Sequence, residues 1–301
     1  MFDDPHSSDD PRDRDDDSRD RDSSDPRDTF LNDLDLPRDI ERELVRDRDR
    51  DVGLRGSEAR TLATVGAFRV VSSRDLSDHD GRSLDPNRGD LRHLREEGLV
   101  RTVDVQGHRD VAVVLTDRGR DVLEAHRRVH SSRDARGRGG SRSEQQFYAD
   151  LKKPRELEHD LQVYRAYLRE AERLRERGAR IERVVLDYEL KRDYQRFLQE
   201  RNRGRADSDG RPDRSKGEVR QWAHEHALKC DESHVRFPDA RIEYVDQYER
   251  HHHLDIEVVT LHYRGAHGAA AKGSGASIFR GGSARTGGSP FDPDYASKVL
   301  R

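Results

Sequence analysis

Three carboxylate residues late in the chain have a spacing that could hold a metal ion. Asp239 follows Pro238 at the start of one strand-like run, and Asp255 and Glu257 lie two residues apart in another. Because strand side chains alternate between faces, Asp255 and Glu257 share one side and the apolar residues between them share the other. Two such strands placed side by side would bring the three carboxylates together, where a divalent cation or a hydrogen-bond network must offset their repulsion. A solvated face of an edge strand is the other interpretation.

A second set of candidate residues is basic. Arg88, Arg92 and Arg95 recur at i, i+4 and i+7 in a segment that has its own leucine stripe. This spacing predicts a helix over residues 86–97 that presents the three guanidinium groups as a stripe, where they could contact DNA phosphates or bases. The other interpretation is a protein-interaction surface whose arginines are solvated.

The elements around this basic helix follow a definite order. The chain is predicted to form a helix over 57–69, a short helix at 74–76, the basic helix, strands over 100–105 and 110–115, and a helix over 117–126. With LRHLREEGLV at 91–100 and VLTDRG at 114–119, this order resembles a winged helix-turn-helix domain. The resemblance implies binding of double-stranded DNA, with the basic helix in the major groove and His108 and Arg109 at the wing.

Composition predicts that part of the chain does not fold. Only 31% of the residues are hydrophobic and 40% are charged. Residues 1–30 contain twelve Asp and five Arg, so we expect a disordered acidic tail over 1–50. Residues 131–150 are predicted to be a basic flexible linker, because their first part is rich in Arg, Gly and Ser.

The cysteine content and the hydropathy indicate a cellular location. Cys230 is the single cysteine, which excludes an intrachain disulfide and a thiolate zinc site built from this chain alone. The first residues lack the apolar core of a signal peptide, and no run approaches the roughly 20 apolar residues that span a bilayer. We therefore expect a cytoplasmic protein without a membrane partner.

Residues 151–280 are predicted to form an α/β layer structure, because helical and strand patterns alternate. The predicted order is a long amphipathic helix over 155–178, a strand over 181–190, helices over 192–201 and 218–228, the two carboxylate strands, a small helix over 263–272 and a strand over 276–280. Residues 281–301 are predicted to be a loose tail. The histidine run at 251–253 is interpreted as a surface feature, since adjacent strand residues point to opposite faces.

Several short motifs in this part resemble one family. HDL at 159–161, PD at 238–239, DIEVVT at 255–260 and a following helix with Tyr263 and Lys272 are similar to the replication-relaxation proteins of plasmids and integrative elements. The resemblance implies an α/β fold, α+β overall, in which a winged helix at 51–130 precedes a PD-(D/E)xK-like nuclease domain at 151–280.

The same resemblance implies site residues. Asp239, Asp255 and Glu257 would hold Mg²⁺ in an active nuclease site. The catalytic lysine would be replaced by Lys272 from the following helix, by His262, or by Glu257 itself, since some nucleases of this fold tolerate a Glu at that position. The sequence departs from the nuclease pattern, because Glu257 stands where an acid-x-Lys triplet places its lysine.

The leading interpretation is a DNA-binding protein that acts in replication, mobilisation or transcriptional control of a plasmid or mobile element, with a degenerate nuclease-like domain. The alternative is a Mg²⁺-dependent DNA endonuclease or nickase that its winged helix targets, so whether the protein is an enzyme stays open. The expected partners are double-stranded DNA, a relaxase or other mobilisation protein, and a second copy of the chain.

Overall fold

The computed structural model describes residues 26–48, 50–105, 111–128, 144–150, 157–203, 212–232, 234–259 and 277–280. The α-helices of these residues are α1 (Gly56–Phe68), α2 (Gly89–Glu96), α3 (Asp117–Ala125), α4 (Leu157–Glu176), α5 (Asp187–Gln199) and α6 (Lys216–Glu225). The strands are β1 (Glu43–Val45), β2 (Val52–Leu54), β3 (Val70–Ser72), β4 (Val100–Asp104), β5 (Val111–Leu115), β6 (Arg180–Leu186), β7 (Lys229–Asp231), β8 (His234–Arg236), β9 (Ala240–Val245), β10 (His251–Val259) and β11 (Ser277–Arg280). The chain is thus a mixed α/β structure, as predicted.

An antiparallel three-stranded sheet of order β3-β5-β4 carries helices α1, α2 and α3. The helices and strands β4 and β5 lie where the sequence predicts them, but strand β3 was not predicted and the basic helix is shorter than 86–97. Asp85 accepts the backbone N–H of Asn87 on its side chain (2.8 Å) and that of Arg88 on its carbonyl (3.2 Å). This local turn competes with the helix, so α2 begins only at Gly89.

A mixed four-stranded sheet of order β11-β10-β9-β6 forms the other half. Strands β6, β9 and β10 are antiparallel, and β11 runs parallel to β10. The strand predicted over 181–190 ends at Leu186, and Asp187 already opens α5. Two acidic residues in the first turn favour this earlier helix start, because they complement the positive end of the helix dipole.

Helix α4 lies between the two sheets and joins them in one hydrophobic core. Phe68 at the end of α1 packs against Tyr164 and Tyr167 of α4, with ring centroids 4.9 Å apart in both pairs. The same core continues to Ile256 and Val258 on the apolar face of β10. The predicted domains 51–130 and 151–280 therefore share a single core.

The disordered tail predicted over 1–50 is wrong for residues 26–48. Phe30, Leu31 and Leu34 are each 1% exposed, and Phe30 packs against Phe68 at 5.5 Å. These apolar side chains follow directly after the Asp/Arg run and provide the anchoring that the run itself lacks. Residues 1–25 lie outside the described part of the chain.

The flexible linker predicted over 131–150 is wrong for its last seven residues. Phe147 is buried, and the buried Gln145 pairs with the open edge of β6. Its amide accepts from the Val184 N–H at 2.9 Å and donates to the Val184 carbonyl at 3.0 Å, as a neighbouring strand would. No helix in the described part of the chain is both long and apolar enough to cross a bilayer.

Candidate functional site

The predicted adjacency of the two carboxylate strands is confirmed. In the antiparallel register of β9 and β10, Asp255 lies opposite Arg241. Asp239 precedes β9, donates its backbone N–H to the Ile256 carbonyl (3.0 Å), and accepts the Val258 N–H on Oδ2 at 2.7 Å. Asp239 is thereby fixed beside the segment of β10 that contains Glu257.

Asp255 is held by a buried arginine. Arg241 donates from Nε to Oδ1 at 2.6 Å and from Nη2 to Oδ2 at 3.0 Å, and its side chain is 7% exposed. The guanidinium also donates to the backbone carbonyls of His226 (2.7 Å) and Ala227 (3.0 Å) after α6. A bidentate, charge-assisted pair of this kind satisfies both oxygens of the carboxylate.

Asp239 is held by a histidine of α4. His159 Nε2 lies 3.3 Å from Asp239 Oδ1, and His159 Nδ1 lies 3.6 Å from Asp160 Oδ1. Burial lowers the pKa of His159, but interactions with Asp160 and Asp239 outweigh it and raise this pKa to about 10. The imidazole is therefore a cation at neutral pH.

The pKa of Glu257 is shifted by burial and by the neighbouring charges. Burial, followed by the negative charges of Asp239 and Asp255, raises the pKa of Glu257 to about 7, although His159 and Arg236 oppose the rise. Glu257 is thus close enough to Asp239 and Asp255 to feel both charges, but the ligand atoms of the three residues do not all lie within 4.8 Å of one another.

A tight cluster of metal-ligand atoms occurs elsewhere. Within the described ranges, the one group of three acidic, histidine or cysteine residues whose ligand atoms all lie within 4.8 Å of one another is Asp78, His79 and Asp80. Asp78 uses Oδ1 to accept the N–H groups of Asp80 and Arg82, each at 2.9 Å, so this group serves an exposed turn.

The end of the four-stranded sheet that holds Asp239, Asp255 and Glu257 is called here the carboxylate end. Ion pairs connect it to the three-stranded sheet. Arg69, which follows α1 with a left-handed φ of 66°, lies 4.0 Å from Asp160. Arg165 of α4 donates to Asp75 at 2.6 Å. Helix α4 therefore links the two halves through charges as well as through the aromatic core.

Arg92 and Arg95 of the predicted basic stripe border a groove between α2 and β4, whereas Arg88 is not among its lining residues. The groove has a volume of about 450 Å³ and is lined by Asn87, Arg92, Arg95, Glu96, Val100, Arg101 and Thr102. Arg92 pairs with Glu96 at 2.7 Å, and Arg95 donates to the Pro86 carbonyl at 2.8 Å. Arg88 is exposed at the N-cap position of α2.

No protein-family model, curated protein or solved structure matches the chain.

Some functional candidates were missed by sequence reasoning. Arg101 lines the groove from β4 and pairs with exposed Asp150 at 3.2 Å. The sequence does indicate this role, because Arg101 is the second residue of the strand that directly follows the basic helix. Arg241 had a signal too, since it lies two residues after Asp239 and shares a strand face with Asp255 once the register is known.

Three predicted site residues fall outside the described part of the chain. They are His108 and Arg109 at the predicted wing and Lys272 in the predicted small helix.

Proposed function

We propose that the protein binds double-stranded DNA through the groove between α2 and β4, and that this binding acts in replication, mobilisation or transcriptional control of a plasmid or mobile element. The observation that carries this proposal is the convergence of Arg92, Arg95 and Arg101 on one open groove. Arginine is well suited to this role, because its guanidinium can make paired hydrogen bonds to phosphate and to guanine.

The arrangement of elements supports the same proposal. The order α1, β3, the short turn Ser73–Asp75, α2, the β4–β5 hairpin and α3 corresponds to that of a winged helix-turn-helix domain. In such a domain α2 would be the helix that enters the major groove. The mixed sheet with α4 on one face is compatible with a PD-(D/E)xK-like second half.

The acidic partners of these arginines do not close the groove. Arg92 and Glu96 are 62% and 57% exposed, and Arg101 and Asp150 are 43% and 52% exposed. Exposed ion pairs contribute about 0–1 kcal/mol each, so phosphate groups can replace the carboxylates at little cost. Release of counterions from DNA would then drive association.

The test is fluorescence anisotropy with a labelled random-sequence duplex over a series of salt concentrations. We expect binding that weakens steeply with salt, and we expect the triple variant Arg92→Ala/Arg95→Ala/Arg101→Ala to bind much more weakly at low salt. Each lost phosphate contact lowers the slope of log K against log salt by about 0.9, so the triple variant should lose about 2 to 3. Arg196→Ala, which removes a 61% exposed arginine on α5, is the matched control. Equal binding by the native and triple-variant proteins would remove the proposal.

The endonuclease alternative has one feature in its favour, the negative charges of Asp239 and Asp255, which add to burial in raising the pKa of Glu257. The bidentate pairing of Asp255 with Arg241 argues against it. Supercoiled plasmid incubated with Mg²⁺ or Mn²⁺ should remain intact if the protein only binds DNA, and should be nicked or linearised if the alternative holds. A relaxase partner and a homodimer stay predictions.

A further inference from the structure

Four oxygen atoms at the carboxylate end converge on one buried cation. They are the two carboxylate oxygens of Asp255 and the backbone carbonyl oxygens of His226 and Ala227, and all four accept hydrogen bonds of 2.6–3.0 Å from Arg241. The carbonyls belong to the C-terminal end of α6, where the helix dipole also favours a positive charge. Four acceptor oxygens therefore surround the Arg241 guanidinium.

We infer that Arg241 supplies the positive charge that a divalent metal would otherwise bring, and that removing Arg241 uncovers a site for a hard divalent cation such as Mn²⁺ or Ca²⁺. In the native protein its guanidinium excludes such a cation from Asp255. The metal response of these residues is independent of DNA binding by the groove.

The native residues do not fit a divalent cation. A divalent cation bound to Asp255 would lie beside the guanidinium that already donates to both of its oxygens, and two positive charges at that distance repel each other. Arg241 uses both oxygens of Asp255, whereas Asp239 has one oxygen facing His159 and the other bonded to the Val258 N–H. Glu257 alone would be a single ligand, on the same strand face as the pair of Asp255 with Arg241.

The Arg241 side chain has no simple way to leave. Its side chain is 7% exposed, and its departure would leave one carboxylate and two carbonyl groups without donors. The same groups explain why a cation would take its place in a variant, because carboxylate and carbonyl oxygens are the ligands that Ca²⁺, Mg²⁺ and Mn²⁺ prefer. Glu257, on the same face of β10 as Asp255, would lie next to the vacated space.

The experiment compares the full chain and its variants by calorimetry with chelator, Mg²⁺, Mn²⁺ and Ca²⁺. We expect the native protein to show no binding heat and no change of melting temperature with any of the three ions. Arg241→Ala should melt lower with chelator, recover several degrees with Mn²⁺ or Ca²⁺, and bind the ion in isothermal titration. Arg241→Ala/Asp255→Asn is the matched control and should not recover.

Two results would overturn the inference. One is a native protein that is stabilised by a divalent ion and loses this response with Asp255→Asn. The other is an equal response of Arg241→Ala and its Asp255→Asn double variant.

Arg241→Gln, which keeps much of the side-chain length and a donor, is measured in the same way in case Arg241→Ala folds poorly. If Arg241→Ala does not refold even with Mn²⁺ or Ca²⁺ and Arg241→Gln shows no response to these ions, the latent site does not exist.

Discussion

Replacement of Glu257 by Gln should stabilise the protein, and the gain should depend on pH. The carboxyl group has an ordinary pKa of 4.5, and burial together with Asp239 and Asp255 raises it to about 7. A carboxyl whose folded pKa lies above its unfolded pKa holds its proton more tightly in the native state. Native stability therefore falls as the pH rises from 4.5 to about 7, and the penalty is constant above that range.

The size of the penalty follows from the two pKa values. A difference of one pH unit corresponds to about 1.36 kcal/mol, so the range from 4.5 to about 7 gives about 3 kcal/mol. Solvent screening at this partly buried group reduces that figure to about 2 kcal/mol. For a chain of this length, each kcal/mol raises the melting temperature by about 2 °C, so Glu257→Gln should gain about 4 °C at pH 8.

The assay is differential scanning calorimetry of the native and variant proteins between pH 4 and pH 8, with a chelator present. Near pH 4 the two melting temperatures should agree, and the difference should develop between pH 5 and pH 7. Glu172→Gln, on an exposed position of α4, should match the native protein at every pH. The reasoning fails if Glu257→Gln has the same effect at pH 4 and pH 8, or if it destabilises the protein at pH 8.

Three further predictions concern other parts of the fold. Gly119→Ala should destabilise by several kcal/mol in denaturant titration, because its Cβ would collide with a backbone carbonyl. A Cβ at Gly217 would meet only the Ser215 Oγ at 3.8 Å, so Gly217→Ala should change stability by less than about 1 kcal/mol. Gln145→Ala should cost about 1–3 kcal/mol and speed hydrogen exchange in β6, since it leaves a buried strand N–H unpaired. His159→Gln should cost on the order of 2 kcal/mol near pH 6. This cost should shrink as the pH rises from about 6.5 to about 10, because the raised pKa of His159 stabilises the native state only while the imidazole is protonated. A cost that is constant over that range would contradict the assigned ion pair with Asp239.

Local periodicity was sufficient to predict much of the fold. The long helix expected over 155–178 is observed as α4, and the strands expected around Asp239 and Asp255 do pair. Helical and strand patterns arise from the residues of the element itself, so a single sequence contains them. The exposed positions of Arg92 and Arg95 on α2 were predicted for the same reason.

The contacts that define the carboxylate site join residues that are far apart in the sequence, so local periodicity does not predict them. Arg241 meets Asp255 only because the register of two strands places them opposite each other, and the carbonyls that complete its shell come from the end of another helix. His159 reaches Asp239 across the packing of α4 on the sheet. Composition was also misleading for Phe30, because an acidic low-complexity run directly precedes a segment that belongs to the core.

The position of α4 between the two sheets limits how such a protein can be altered by recombination. Phe30 and Phe68 from the first half and Tyr164 and Tyr167 from α4 bury one another, so an exchange at the 131–150 connection would leave large aromatic surfaces exposed in both products. A chimera that gives this protein a new basic groove should therefore inherit residues 26–36 and α4 from the same parent. The positions at which two parent sequences can be joined are therefore set by the packing of the aromatic rings. The sequence composition alone would suggest a junction in the arginine- and glycine-rich segment instead.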